Sequence, residues 1–166
     1  MSTVPVHIRP HLVPFFLKEF NGREAVYLNQ KVTAIKISTS SSLGRMMRLF
    51  MIKVDLPEKD PDYYNIYLAV EDTPTGKKYE GNYYKYESGA RSFLKMPEDV
   101  NRAINDLLED IFRTSFVYYV DGYMLTPGAK IIPAIDSFIK KYDLLEFGHS
   151  TESMRQLYYR EKKKAV

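Results

Sequence analysis

The 166-residue chain is 45% hydrophobic and 27% charged, enough apolar content to bury a core and too much for a disordered chain. It has no cysteine, which excludes disulfides, thiolate metal sites, iron–sulfur clusters and cysteine nucleophiles. Its net charge is only +3, but the sign is segregated: Glu98, Asp99, Asp106, Glu109 and Asp110 oppose Arg102 alone, whereas Arg155, Arg160, Lys162, Lys163 and Lys164 oppose Glu161 alone.

Residues 1–14 are predicted to be an extended arm, because Pro5, Pro10 and Pro14 break the apolar run and bar it from a central strand. The start has neither a basic region nor a small-residue cleavage site, so it is not read as a signal peptide. No window reaches the ~20 apolar residues of a membrane span. A soluble, cytoplasmic protein without a membrane partner is expected. "FFLKEFNG" predicts one or two helical turns stopped at Gly22. "AVYLNQKVTAIKIS" predicts two short strands around Asn29 and Gln30, with Val32, Ala34 and Lys36 on one face and Thr33, Ile35 and Ile37 on the other.

The run "STSSSLGRMMRLFMIKV" combines serine loop chemistry with Leu43, Met46, Met47, Phe50 and Met51 at helical spacing. Arg45 and Arg48 lie off that stripe and, with Lys53 and Lys36, outline a basic strip. A serine loop entering a helix can cradle phosphate on backbone N–H groups. With no glycine-rich fingerprint and no P-loop lysine, the same pattern describes a capped core helix.

"VDLPEKDPDYY" reads as a loop, and "YYNIYLAVE", "KKYEGNYYKYES" and "RSFLKM" as strands, with a turn at "DTPTGK" and breaks at Gly81 and Gly89. About five strands follow, mostly antiparallel, because the links look too short for crossover helices. Lys77, Lys78, Lys85 and Arg91 interleave with Tyr79, Tyr83, Tyr84 and Tyr86. That alternation fits a single-strand stacking platform, and equally a tyrosine-rich edge strand guarded by lysines. With 14 Tyr and no Trp, sheet packing is the expected role of most tyrosines.

The strongest helix begins at Pro97, with acids in its first turn and Val100, Ile104, Leu107, Leu108, Ile111 and Phe112 as its buried stripe. "SFVYYV" is then a strand or a buried helix end, and "DGYMLTPGAK" a hairpin or loop. Two last helices, "KIIPAIDSFIKKYDLL" and "STESMRQLYYREKKK", are striped by Ile135, Phe138, Ile139 and Tyr142 and by Met154, Leu157 and Tyr158, with Ser150 placed to cap the second. The expected fold is α+β: a small, mostly antiparallel sheet packed by an amphipathic helix, with a C-terminal helical hairpin resembling a helix-turn-helix. The divisions are an arm over 1–14, a core over 15–130 and a hairpin with a basic tail over 131–166.

No G-x-S-x-G, H-E-x-x-H, Walker or G-x-G-x-x-G motif occurs, so no enzyme and no cofactor are expected. His7 and His11 are separated by Pro10, which spoils helical ligand spacing, and no metal is expected. His149 reads as a capping or surface residue, and Glu109 and Asp110 as solvated acids.

The tail carries the functional expectation. Thr151, Glu152, Arg155, Gln156 and Tyr159 would be exposed early in the last helix. Arg155, Gln156 and Tyr159 suit base reading or stacking, while Arg160, Lys162, Lys163 and Lys164 suit phosphates; Arg45 and Arg48 are a second candidate contact. The linker over 144–149 exceeds the usual tight turn of a helix-turn-helix. The expected function is a non-enzymatic nucleic-acid-binding accessory or regulatory protein, with DNA the first partner. The alternative is a structural or adaptor protein, for example in a phage or mobile-element assembly. It would form a homo-oligomer or meet a protein partner through residues 1–14 and aromatic surfaces.

Overall fold

In the computed structural model the described backbone covers residues 2–38, 40–59, 63–70, 79–80, 83–85 and 91–164. The expected turn "DTPTGK", the breaks at Gly81 and Gly89, and the alternating side chains of Lys77, Lys78, Lys85, Arg91, Tyr79, Tyr83, Tyr84 and Tyr86 lie outside the described residues and side chains. The fold is α+β, as the sequence predicts. Two compact units comprise it: Met1–Arg9 with Phe16–Asn105, and Pro10–Phe15 with Asp106–Val166.

The first unit holds two four-stranded sheets. One has the order β1 (Ser2–Val6), β5 (Ile66–Val70), β3 (Gln30–Ile37), β2 (Arg23–Tyr27); the other runs β4 (Ile52–Val54), β8 (Arg91–Lys95), β7 (Tyr83–Lys85), β6 (Tyr79–Glu80). Every pairing is antiparallel except β3 with β5. That parallel pair departs from the expectation. Its link is long enough after all, because α2 (Ser42–Phe50) and β4 lie within it, and β4 leaves to join the second sheet. The β2–β3 hairpin turns at Leu28 and Asn29, both at positive φ, one residue earlier than predicted.

Residues 2–6 are extended, but they are not a free arm. β1 pairs with β5 along its length and buries Val4 and Val6, with Pro5 tolerated because β1 is an edge strand. The chain beyond β1 is pinned as well. Ile8 N–H donates to Asn65 Oδ1 at 2.9 Å, and Asn65 Nδ2 donates back to Ile8 O at 2.6 Å. Asn101 and Asn105 both donate to His7 O, and the His7 ring stacks on Tyr63. Helix α1 (Leu12–Glu19) then begins inside the predicted arm.

Helix α2 forms because Ser41 caps it: its Oγ accepts the Gly44 N–H at 3.0 Å. Met47 and Met51 of the predicted stripe are buried, and Phe50 is partly exposed. Gly44 is required by a close backbone approach. A Cβ there would lie 2.0 Å from Ser38 O, and the obstacle is main chain, not a flexible side chain. Gly44→Ala is therefore expected to cost about 1–3 kcal/mol by overpacking. Urea unfolding checks it, and a midpoint equal to wild type would refute the constraint.

Helix α3 (Glu98–Met124) runs through "SFVYYV", the helical one of its two expected forms, and on into "DGYM", where a hairpin or loop was expected. The continuous helix keeps Phe112, Phe116 and Val120, four apart, on one buried line, which a strand would not. Pro97 stands just before its first helical residue, its carbonyl accepting Asn101 N–H, rather than within the first turn.

The second unit is helical: the Asp106-onward part of α3, α4 (Ile131–Lys141), a 3₁₀ helix (Leu144–Phe147) and α5 (Thr151–Lys164). The predicted stripes of α4 and α5 are all buried. Its core is aromatic. Phe138 lies 4.7 Å from Tyr142, 5.0 Å from Phe116 and 5.2 Å from Tyr119, with Phe15 and Phe112 joining the cluster. Several tyrosines thus serve helix packing, where sheet packing was expected. Among the described residues no helix is long and apolar enough to cross a membrane.

Candidate functional site

The C-terminal helices form the expected hairpin, but the 3₁₀ helix occupies the connection, so it is not a tight turn. Gly148 closes the 3₁₀ segment at φ 81°, donating to Leu144 and Leu145 carbonyls. Ser150 and Ser153 then cap α5 reciprocally: Ser150 Oγ accepts Ser153 N–H, and Ser153 Oγ accepts Ser150 N–H. Because Met154, Leu157 and Tyr158 bury one side of α5, the helical period turns residues 155, 156, 159, 160 and 163 outward. Those residues and Lys164 line one concave strip of about 610 Å³.

Within the strip, Arg155 and Gln156 both donate to Glu152 Oε1, at 3.0 and 3.3 Å. These hydrogen bonds lower the Glu152 pKa and raise that of Arg155. Both proposed base readers are therefore loosely tethered on the surface rather than aimed freely. Tyr159 is 48% exposed, its ring set edge-to-face with that of Tyr158 at 5.5 Å between centroids. Arg160 lies 3.8 Å from Glu161, and Lys164 Nζ donates to Glu161 at 2.9 Å. Lys163 is exposed and has no acidic partner among the described residues.

One predicted contact residue of the tail lies outside the strip. Lys162 donates to Asp121 Oδ2 at 2.9 Å, beside Tyr158, which donates to Asp121 Oδ1 at 2.6 Å. The Tyr158 bond, with the Lys162 charge, lowers the Asp121 pKa; burial, then Asp121, pushes the Tyr158 hydroxyl up to about 12. This triad ties α5 to α3. Thr151, expected to be exposed, is partly buried and donates to Asp136 of α4.

The Arg45 and Arg48 strip belongs to the first unit. Arg45 folds back onto its own helix start, donating to Ser40 O at 2.7 Å and Ser42 Oγ at 3.2 Å, and Arg48 is half-buried. The Gly44 N–H that a phosphate would use is already taken by Ser41. One of the N–H groups that a phosphate cradle would use is thus already committed to the cap.

Sequence reasoning missed a buried polar cluster in the second unit. Glu109, read as a solvated acid, is 8% exposed; His11 Nε2 lies 2.8 Å from its Oε2 and Arg113 Nε 2.8 Å from its Oε1. Burial alone would raise this carboxyl, but the His11 and Arg113 contacts prevail and hold it at about 2. His149, read as a capping or surface residue, stands edge-on to His11 at 4.8 Å. Burial, then the His11 charge, lowers its pKa. The only sequence signal was Glu109 and Arg113 at i, i+4, which marks a surface pair as readily as a buried one. No group of three or more metal-ligating side chains occurs among the described residues.

Set against protein-family models, curated proteins and solved structures, the chain finds no match.

Proposed function

We propose that the protein binds nucleic acid through the exposed face of α5, as a non-enzymatic accessory or regulatory factor. One observation carries this reading: Arg155, Gln156, Tyr159, Arg160, Lys163 and Lys164 share a single concave strip. Five of those six are cations or a half-exposed aromatic, the combination that pairs with phosphates and stacks on a base. Lys163, Arg160 and Lys164 make the phosphate contacts, displacing Glu161 from the last two. Tyr159 offers the stacking surface. Lys162 reaches a phosphate only by giving up Asp121, so it contributes through the placement of α5.

The test is fluorescence anisotropy with labelled duplex DNA, single-stranded DNA and RNA across a salt series. Wild type is expected to bind, with log K falling against log salt as about three phosphate contacts require, at roughly 0.9 per contact on duplex. Arg160→Ala, Lys163→Ala and Lys164→Ala should each flatten that slope by about one. Tyr159→Ala should weaken the single-stranded probes about tenfold, the size of one stacked base. Arg45→Ala should change nothing. Flat anisotropy for every probe at low salt, or alanine variants with the wild-type slope, would overturn the proposal.

A further inference from the structure

The second unit carries a second concave feature whose charge is opposite to the strip. A groove of about 410 Å³ at the end of α4 is lined by Asp136, Asp143 and Glu146 around Ile139 and Leu145, with Lys140 the single cation of its lining. Leu145 is 68% exposed, a large apolar side chain standing in water at the groove. Asp136 already accepts from Thr151, whereas Asp143 and Glu146 have no cationic partner among the described residues. An acidic groove with an exposed leucine thus sits on the same unit as a basic strip with an exposed tyrosine.

We infer that the groove receives the basic end of α5 from a second copy of the chain, head to tail. Lys163 and Arg160 of one copy meet Glu146 and Asp143 of the other, and Tyr159 covers Leu145. A chain cannot satisfy its own groove. Thr151 lines the groove, and Lys163 stands twelve positions further along the same helix, about 18 Å away at 1.5 Å per residue. The helix is continuous and capped, so it does not fold back. Complementary charge fixes the orientation, and the tyrosine and leucine supply the apolar centre that interfaces favour. Since the two surfaces differ, the contact is heterologous, and a joined pair still offers one free groove and one free tail to the next copy. The inference stands independently of nucleic-acid binding, because it is tested with none present.

Sedimentation velocity on the full chain, from micromolar to submillimolar concentration at low and high salt, is the experiment. Two variants reverse one surface each: Asp143→Asn with Glu146→Lys, and Arg160→Glu with Lys163→Glu. Asparagine at 143 keeps a residue that tolerates the observed φ of 54°. All four positions are exposed, and circular dichroism verifies folding. The wild type is expected at least to double its weight-average mass with concentration at low salt and to return to monomer at high salt. Each variant alone should remain monomeric, and an equimolar mixture should associate again, because the unaltered tail of the groove variant meets the unaltered groove of the tail variant. A wild type that stays monomeric throughout, association that survives either reversal, or a mixture that remains monomeric would overturn the inference.

Discussion

Replacing Phe138 by alanine is expected to lower the stability of the second unit by about 3–5 kcal/mol, the range for a large aromatic removed from a packed core. Phe138 is 1% exposed and stands at the centre of the aromatic cluster, against Phe15, Phe112, Phe116, Tyr119 and Tyr142. Its neighbours are rings, with few rotamers that could collapse into the hole, so the cavity term persists. Phe138→Leu retains most of the volume and should cost clearly less. Urea unfolding followed by circular dichroism reads both. A Phe138→Ala loss under about 1 kcal/mol would show that the ring is not the keystone of this core.

Acidification is expected to destabilise the protein in two stages, with Glu109 responsible for much of the second. The Glu109 carboxyl titrates at about 2 in the fold against an ordinary 4.5. The unfolded chain therefore takes up the proton first. The stabilisation is complete above about pH 4.5 and is lost as pH falls toward 2, by at most ~3 kcal/mol. His149 contributes earlier. Its folded pKa lies below the ordinary 6.5, so the unfolded chain again binds the proton more readily, and stability declines as pH falls below 6.5.

Urea midpoints measured from pH 7 to pH 3 test both groups. Glu109→Ala should cost about 3 kcal/mol at pH 7, because His11 and Arg113 lose their buried anion, although Glu161 at 3.8 Å still faces Arg113. It should also flatten the decline below pH 4.5 without abolishing it. Glu58, held down by its Lys95 hydrogen bond, and Asp121, held down by Tyr158 and Lys162, act in the same window. His149→Gln should flatten only the first stage. A Glu109→Ala profile parallel to wild type throughout would remove the carboxyl from this account.

Much of the helical architecture is legible in the residues. Ile135, Phe138, Ile139 and Tyr142, like Met154, Leu157 and Tyr158, repeat at helical spacing and are all buried. The outward face of α5 follows from the same period, which is why most of the candidate strip could be named from sequence. Ser41 and Ser150 cap where serines before an amphipathic run should. Periodicity and capping are local, so they survive without knowledge of the fold.

Partner choice is not local, and there the sequence falls silent. Lys162 and Lys163 are adjacent and chemically identical, yet one meets Asp121, forty-one positions earlier, and the other meets no acid among the described residues. Helical spacing sets Lys163 on the outward face, but nothing in "EKKK" tells that Lys162 finds an acid. Glu109 and Asp110 are likewise neighbours on one helix, and it is the placement of His11, together with Arg113, that makes the first a buried anion. Strand pairing shows the same limit. Pro5 correctly excludes a central strand, but the antiparallel contact of β1 with β5 joins residues sixty or more positions apart, and the parallel β3–β5 pair depends on where α2 and β4 go. By itself the sequence determined which faces of the chain had to be buried, because that follows from spacing along one element. Only the tertiary structure decided which charges were neutralised, and so which remain for a partner, because an ion pair is set by distance in space.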